Sequence, residues 1–135
     1  MHQSHEIIEK SALQKDSQGR EHLYVFAPVL VPQYVDLQKQ WANAETIKEA
    51  AHRFMEKFQE SGYRHKAILS KSAITIVENF ISKSAMSFGG KEFPAGTWFM
   101  GCKVFAKELI DQIQSGQLKG FSIGGNGDLH PKLPQ

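Results

Sequence analysis

Residues 114–125 read QSGQLKGFSIGG, and the local structure given to this stretch decides what domain the chain can build. Gly120-Phe121-Ser122-Ile123-Gly124 matches G-x-S-x-G, the pattern of the turn that presents the nucleophile of α/β-hydrolases. In that fold the serine sits between a strand and a helix, and its acid and histidine follow in the chain. Here ten residues follow Gly125, and they hold no amphipathic helix. The chain is also short for a doubly wound sheet with a buried triad, so the hydrolase fold is rejected. An extended conformation suits the stretch better. If Leu118 to Gly124 is a strand, Gly120, Ser122 and Gly124 share one face, and Phe121 and Ile123 anchor the other in the core. The flanking glycines then let a substrate backbone come close to Ser122. The competing reading is a strand of small residues packed under a helix, where a serine is merely tolerated.

Working outward, 135 residues fit one domain able to bury a core without staples. With 41% hydrophobic and 22% charged residues, the composition is that of a globular protein. A net charge of +2 with scattered lysines, and no basic-aromatic face, argues against a nucleic-acid partner. No apolar run approaches a membrane span, so no membrane partner is expected. The opening MHQSHEIIEK lacks the apolar core of a secretory signal, and the lone Cys102 excludes an internal disulfide. Together these suggest a cytoplasmic domain.

Patterning along the chain predicts the elements. Residues 1–20 are polar and are expected to form a flexible N-terminal segment. His22 to Val31 reads as a strand, with Pro28 and Pro32 setting it near an edge or an end. Val35 to Ala44 is a connection in which Trp41 can anchor to the core. From Glu45 to Glu60, Ile47, Ala50, Ala51, Phe54, Met55 and Phe58 form one helical stripe, capped by Asn43 and stopped by Gly62. Tyr63 to Ser70 and Ala73 to Ile81 read as strands joined at Lys71-Ser72. Ser82 to Gly96, with its glycines and proline, reads as a long loop. Thr97 to Phe105 is expected to be a central strand. Ala106 to Ser115 is a short helix stopped by Gly116, and Leu118 to Ile123 a last strand. Residues 126–135 read as a C-terminal tail. The sum is an α+β domain over 21–125.

A serine hydroxyl needs a base beside it. Of six histidines, His2 and His5 lie in the polar start, His52 lies off the helical stripe, and His22 opens an early strand. His65 starts a strand with Tyr63, Ala67 and Leu69 on its face, and a strand-borne histidine beside a strand-borne serine is the favoured pair. His130 lies in the tail. In the strand Ala73 to Ile81, alternation puts Glu78 with Ile74, Ile76 and Phe80. A carboxylate there is either at a wet edge or orienting a histidine. Cys102, within TWFMGCKVF, reads as a small buried residue rather than a nucleophile. The histidine spacings build no zinc site, and no metal or other cofactor is expected.

Several blocks taken in order resemble the phage serine proteases of the XkdF type: VLVPQYVDLQ, AETIKEAAHRFMEKF, RHK, IVENFI, PAGTWFMGCKV and ELIDQIQSGQLKGFSIGG. These are related to the prohead, or capsid maturation, proteases, which share a fold and a serine–histidine arrangement with herpesvirus assemblins. The resemblance runs from about residue 24 to 125. It implies a barrel-like, mostly antiparallel sheet surrounded by helices, and a serine endopeptidase that cleaves scaffold and coat precursors inside the immature capsid of the bacterial host. It implies coat and scaffold proteins as partners, a homodimer, and no cofactor. By the same resemblance Ser122 is the nucleophile and His65 the general base, while backbone amides near Gly120, Gly124 and Gly125 serve the oxyanion or substrate approach. Two departures stand out. Lys66 follows His65 where the family often has an acidic residue, and the chain ends before the strand on which relatives carry a third catalytic group. Glu78 is ranked first for that third role, ahead of Asp128 or His130. The competing class is a catalytically inactive capsid-assembly or scaffolding module of the same fold.

Overall fold

The computed structural model describes residues 3, 5–33, 42–60, 73–123 and 129–132, with the backbone alone in 58–60, 121–123 and 129–132. The expected strands Tyr63 to Ser70, together with Trp41, Gly62, His65 and Lys66, lie outside the described residues.

The apolar run in TWFMGCKVF forms β7 (Trp98–Val104), in which every residue but Lys103 is buried. A strand with large side chains pointing both ways must be covered on both faces and paired on both edges. β7 lies between β3 (Glu21–Leu30) and β4 (Ile74–Ile81), antiparallel to each. The sheet order is β1-β3-β7-β4, with β2 also on β3, so β7 is central as expected.

One face carries Leu23, Val25, Trp98, Met100, Val104 and Ile74, and the two helices cover it. α1 (Ala44–Glu60) buries Ile47, Ala51 and Phe54, the stripe its periodicity predicts, and Phe54 meets Trp98 at 5.8 Å between ring centroids. The Asn43 side chain accepts the Thr46 N–H at 2.8 Å, which satisfies one of the donors a helix start leaves open. α2 (Lys107–Gln114) buries Leu109, Ile110 and Ile113. The other face is aromatic. Phe99 lies 5.3 Å from Phe26, 5.5 Å from Phe80 and Phe93, and 5.4 Å from Phe88.

Phe88 and Phe93 come from a hairpin where the sequence reading places a long loop. β5 (Met86–Phe88) pairs with β6 (Lys91–Phe93) across Gly89-Gly90, whose φ values of 56° and 83° are both left-handed. Glycine reaches that region without strain, and two such residues make the turn whose twist suits a hairpin. Three-residue strands are too short to show alternation.

The polar start also differs from expectation. β1 (Glu9–Lys10) and β2 (Gln14–Lys15) pair with the outer edge of β3, Glu9 opposite Phe26 and Gln14 opposite His22. β3 is buried along nearly its whole length, so its backbone groups on that edge need partners. β1 and β2 supply them with their backbones, while their own side chains stay exposed and unpatterned. In the region read as a tail, β9 (Leu129–Lys132) pairs with β8 (Gly120–Ile123). The result is α+β with antiparallel sheets. Among the described residues the sheet is open, and does not close into the barrel that the resemblance implies.

Phe99 is fully buried and holds the aromatic face together. Phe99→Ala is expected to lower unfolding stability by about 3–5 kcal/mol, and Phe99→Leu by less than half of that. Urea denaturation followed by tryptophan fluorescence reads both changes.

Candidate active site

Ser122 lies in β8, extended as the glycine-flanked stretch predicts, and no helix follows it among the described residues. β8 is fed by α2. After Gly116, Leu118 is buried at 1% exposure and its N–H donates to the Gln112 carbonyl at 2.9 Å. The strand is therefore launched from a fixed point in the core.

In the β8–β9 ribbon, Ser122 stands directly opposite His130, with Gly120 opposite Lys132 and Ile123 opposite Leu129. Residues directly opposite share a face, with β-carbons about 4.5–5.5 Å apart. This register brings a serine and a histidine together. The reading of residues 126–135 as a tail misses it, although the run of turn residues before Leu129 marks a reversal. His65, Gly124, Gly125 and Asp128 lie outside the described residues.

Gly120 shows what approaches the serine strand. A methyl group placed there would run into the His5 carbonyl, so the backbone that comes close to Gly120 is the chain's own. The Ile7 N–H also donates to the Lys119 carbonyl at 2.7 Å.

Glu78 is placed differently from the alternation argument. A bulge between Ile76 and Glu78 shifts the register by one residue. Ile74 and Ile76 pack toward the helices, whereas Glu78 falls opposite Gly101, and both Val77 and Glu78 are exposed. An extra residue in an edge strand flips the faces beyond it, which a strict two-residue period cannot foresee. Glu78 accepts a short hydrogen bond from the Tyr24 hydroxyl, passing over Gly101. A side chain at Gly101 would strike the Glu78 carboxylate and the Tyr24 hydroxyl. Burial first, then the Glu78 carboxylate, raises the Tyr24 phenol above its usual range. The residue that Glu78 orients here is a tyrosine.

Other candidates resolve plainly. Cys102 is buried, and burial, aided by Glu78, pushes its thiol up to about 12, so it stays protonated. His22 is buried at 3% exposure, with Nδ1 3.3 Å from the Arg20 carbonyl and its ring 5.4 Å from Phe105. His52 is exposed on α1, off the apolar stripe. Among the described residues no three His, Cys, Asp or Glu side chains cluster as metal ligands, and no helix is long and apolar enough to cross a membrane.

His5, expected in a loose segment, is instead half-buried, with Nε2 2.7 Å from the Gln3 side-chain oxygen. Desolvation first, then the Lys91 ammonium, lowers its pKa from 6.5 to about 4. Because the folded value lies below the unfolded one, the unfolded chain takes up this proton more readily. The contribution is whole above pH 6.5 and is lost as the pH falls toward 4. Stability of the wild type should therefore decline through that window, and the decline should be shallower in His5→Gln, which keeps a donor toward Gln3. Urea midpoints measured across the window test this, and parallel acid limbs in the two proteins would count against it.

The family described as "Putative phage serine protease XkdF" matches residues 9–130. Among curated proteins, the chain is 25% identical over 118 residues to "Phage-like element PBSX protein XkdF" of Bacillus subtilis (strain 168). That match covers 87% of this chain and 42% of the relative. It is 24% identical over 112 residues to "Uncharacterized protein YqbD" of the same organism, covering 83% of this chain and 34% of that one. The chain thus spans less than half the length of these relatives. No solved structure shows a significant match. A family match over nearly the whole described fold carries the assignment: the chain belongs to the XkdF family of phage proteins described as serine proteases.

Proposed function

We propose that this chain is the peptidase domain of a phage or prophage capsid-maturation protease, a serine endopeptidase acting on scaffold and coat precursors during head assembly. The observation that carries the reading is Ser122 itself, a serine in a short extended strand with a histidine opposite, inside a family described as serine proteases. Ser122 Oγ attacks the scissile carbonyl while a histidine takes its proton and passes it to the leaving amine. Water then attacks the acyl-enzyme, with the same histidine as base. The family resemblance assigns that histidine to His65.

The third group of the triad is better sought at His130 than at Glu78. His130 faces Ser122 across the ribbon, whereas the Glu78 carboxylate is exposed on an edge strand and engaged by Tyr24. On this reading His65 is the base and His130 orients it or helps stabilise its charged form. Backbone amides beyond Ser122, at Gly124 and Gly125, supply the oxyanion donors. The assemblin-like barrel, the homodimer, the coat and scaffold partners and the site of action inside the immature capsid in the host cytoplasm belong to the same proposal.

Intact-mass spectrometry after fluorophosphonate treatment tests it. The wild type should gain one adduct and Ser122→Ala none. His65→Ala should label at least 100-fold more slowly and His130→Ala about 10-fold more slowly, in keeping with what a positioned acid–base group contributes. An equal adduct on Ser122→Ala would exclude Ser122 as the nucleophile. A wild type that takes no adduct would favour the inactive assembly module.

A further inference from the structure

We infer that the N-terminal chain, through Gln3 and the segment His5 to Lys10, positions the serine strand on the main sheet, with Gly120 as its seat. The inference rests on the reading of Ser122 as nucleophile for its functional part, and on backbone geometry for the rest.

The segment is bonded along both edges. Toward β3, the Ile8 N–H donates to the Phe26 carbonyl at 2.8 Å, and Glu9 and Lys10 stand opposite Phe26 and Val25. At its start the buried Gln3 side chain takes the place of a strand residue. Its Nε2 donates to the Val31 carbonyl at 3.0 Å, and its Oε1 accepts the Val31 N–H at 2.7 Å. Toward β8, the Ile7 N–H donates to the Lys119 carbonyl, and the His5 carbonyl sits over Gly120. Lys10 Nζ reaches the Ile113 carbonyl at 3.4 Å, tying the segment to the end of α2. Ile7 and Ile8 pack on opposite cores, Ile7 with the helix-side cluster and Ile8 with the aromatic one.

β8 and β9 form a separate two-stranded ribbon. Among the described residues, a backbone bond joins Lys119, on the approach to β8, to Ile7. The segment thus bridges β3 and the approach to the serine strand, and β8 itself also comes near β3.

Gly120 carries the second half of the argument. Its φ is not among the left-handed values, so no backbone conformation demands glycine there. What demands it is the approach of the His5 carbonyl. Residue 122 falls two positions on, on the same strand face. The segment that rests on Gly120 therefore sets where Ser122 stands relative to β3 and β7. Gln3, Ile7 and Gly120 act as positioning residues, through the strand, on a group that none of them needs to touch.

Two variants probe opposite ends of the contact. Gln3→Met keeps the bulk of the side chain and removes both bonds to Val31, while Gly120→Ala pushes His5 away. Each is compared with the wild type by the fluorophosphonate labelling rate and by hydrogen exchange read by mass spectrometry. In both variants labelling should slow at least tenfold, and amides over residues 118–123 should exchange at least tenfold faster, while amides of β7 keep their protection. Wild-type rates in both readouts would overturn the inference. So would equal acceleration in β7, which would mean a general loss of stability, and so would faster labelling, which would make the segment a cover over the site. Were the wild type itself unlabelled, the peptidase reading would fall and exchange alone would decide. Local acceleration in β8 would then support the positioning role, and its absence would overturn it.

Discussion

The structure depends on a seven-residue strand that is buried on both faces. β7 places Trp98, Met100, Cys102 and Val104 on one side and Phe99 on the other, and none of these is more than 4% exposed. Leaving either face wet would expose large apolar side chains, each worth about 1.5–3 kcal/mol on burial. The helices answer on one side, and the β5–β6 hairpin, which supplies two of the four phenylalanine rings around Phe99, on the other. The neighbours β3 and β4 complete its hydrogen bonds, so the two cores share one wall. Gly101 lies in that wall, and it leaves room for the bond from Tyr24 to Glu78, which links β3 to β4 across the central strand between them.

What was legible in the sequence divides along a physical line. Elements whose side chains are sorted by burial are readable: β3 and β7 by their dense apolar runs, α1 and α2 by stripes at helical spacing. The Asn43 cap was readable because its chemistry is local. Elements held by backbone pairing were not. β1, β2 and β9 are short, and their partners' need for hydrogen bonds, rather than any apolar alternation of their own, makes them strands. The hairpin left a signal in Gly89-Gly90, but three-residue strands give periodicity nothing to work on. Glu78 failed for a third reason: one bulged residue at Val77 inverts the faces of all that follows.

The candidate site shows the same division. Ser122 was recognisable from its glycine setting and from the strand leading to it. The register that sets it against His130 was not, because register is a property of two strands and one of them has the composition of a tail. His65 is favoured by its place at the start of an expected strand and again by the family resemblance, but it lies outside the described residues.

The glycines around the serine need not share one purpose. A small residue beside a nucleophile invites the view that it makes room for substrate. At Gly120 the room is taken by the carbonyl of His5, so here the glycine serves assembly. The segment that fills it is bound by Gln3, Ile7 and Ile8 to elements on both sides, and its histidine is most stable there when neutral. A strand gripped in this way cannot shift without carrying the next one with it. Since Ser122 lies in that next strand, the polar N-terminal residues, which composition alone marks as a flexible start, become, on the inference drawn above, part of what aligns the candidate site.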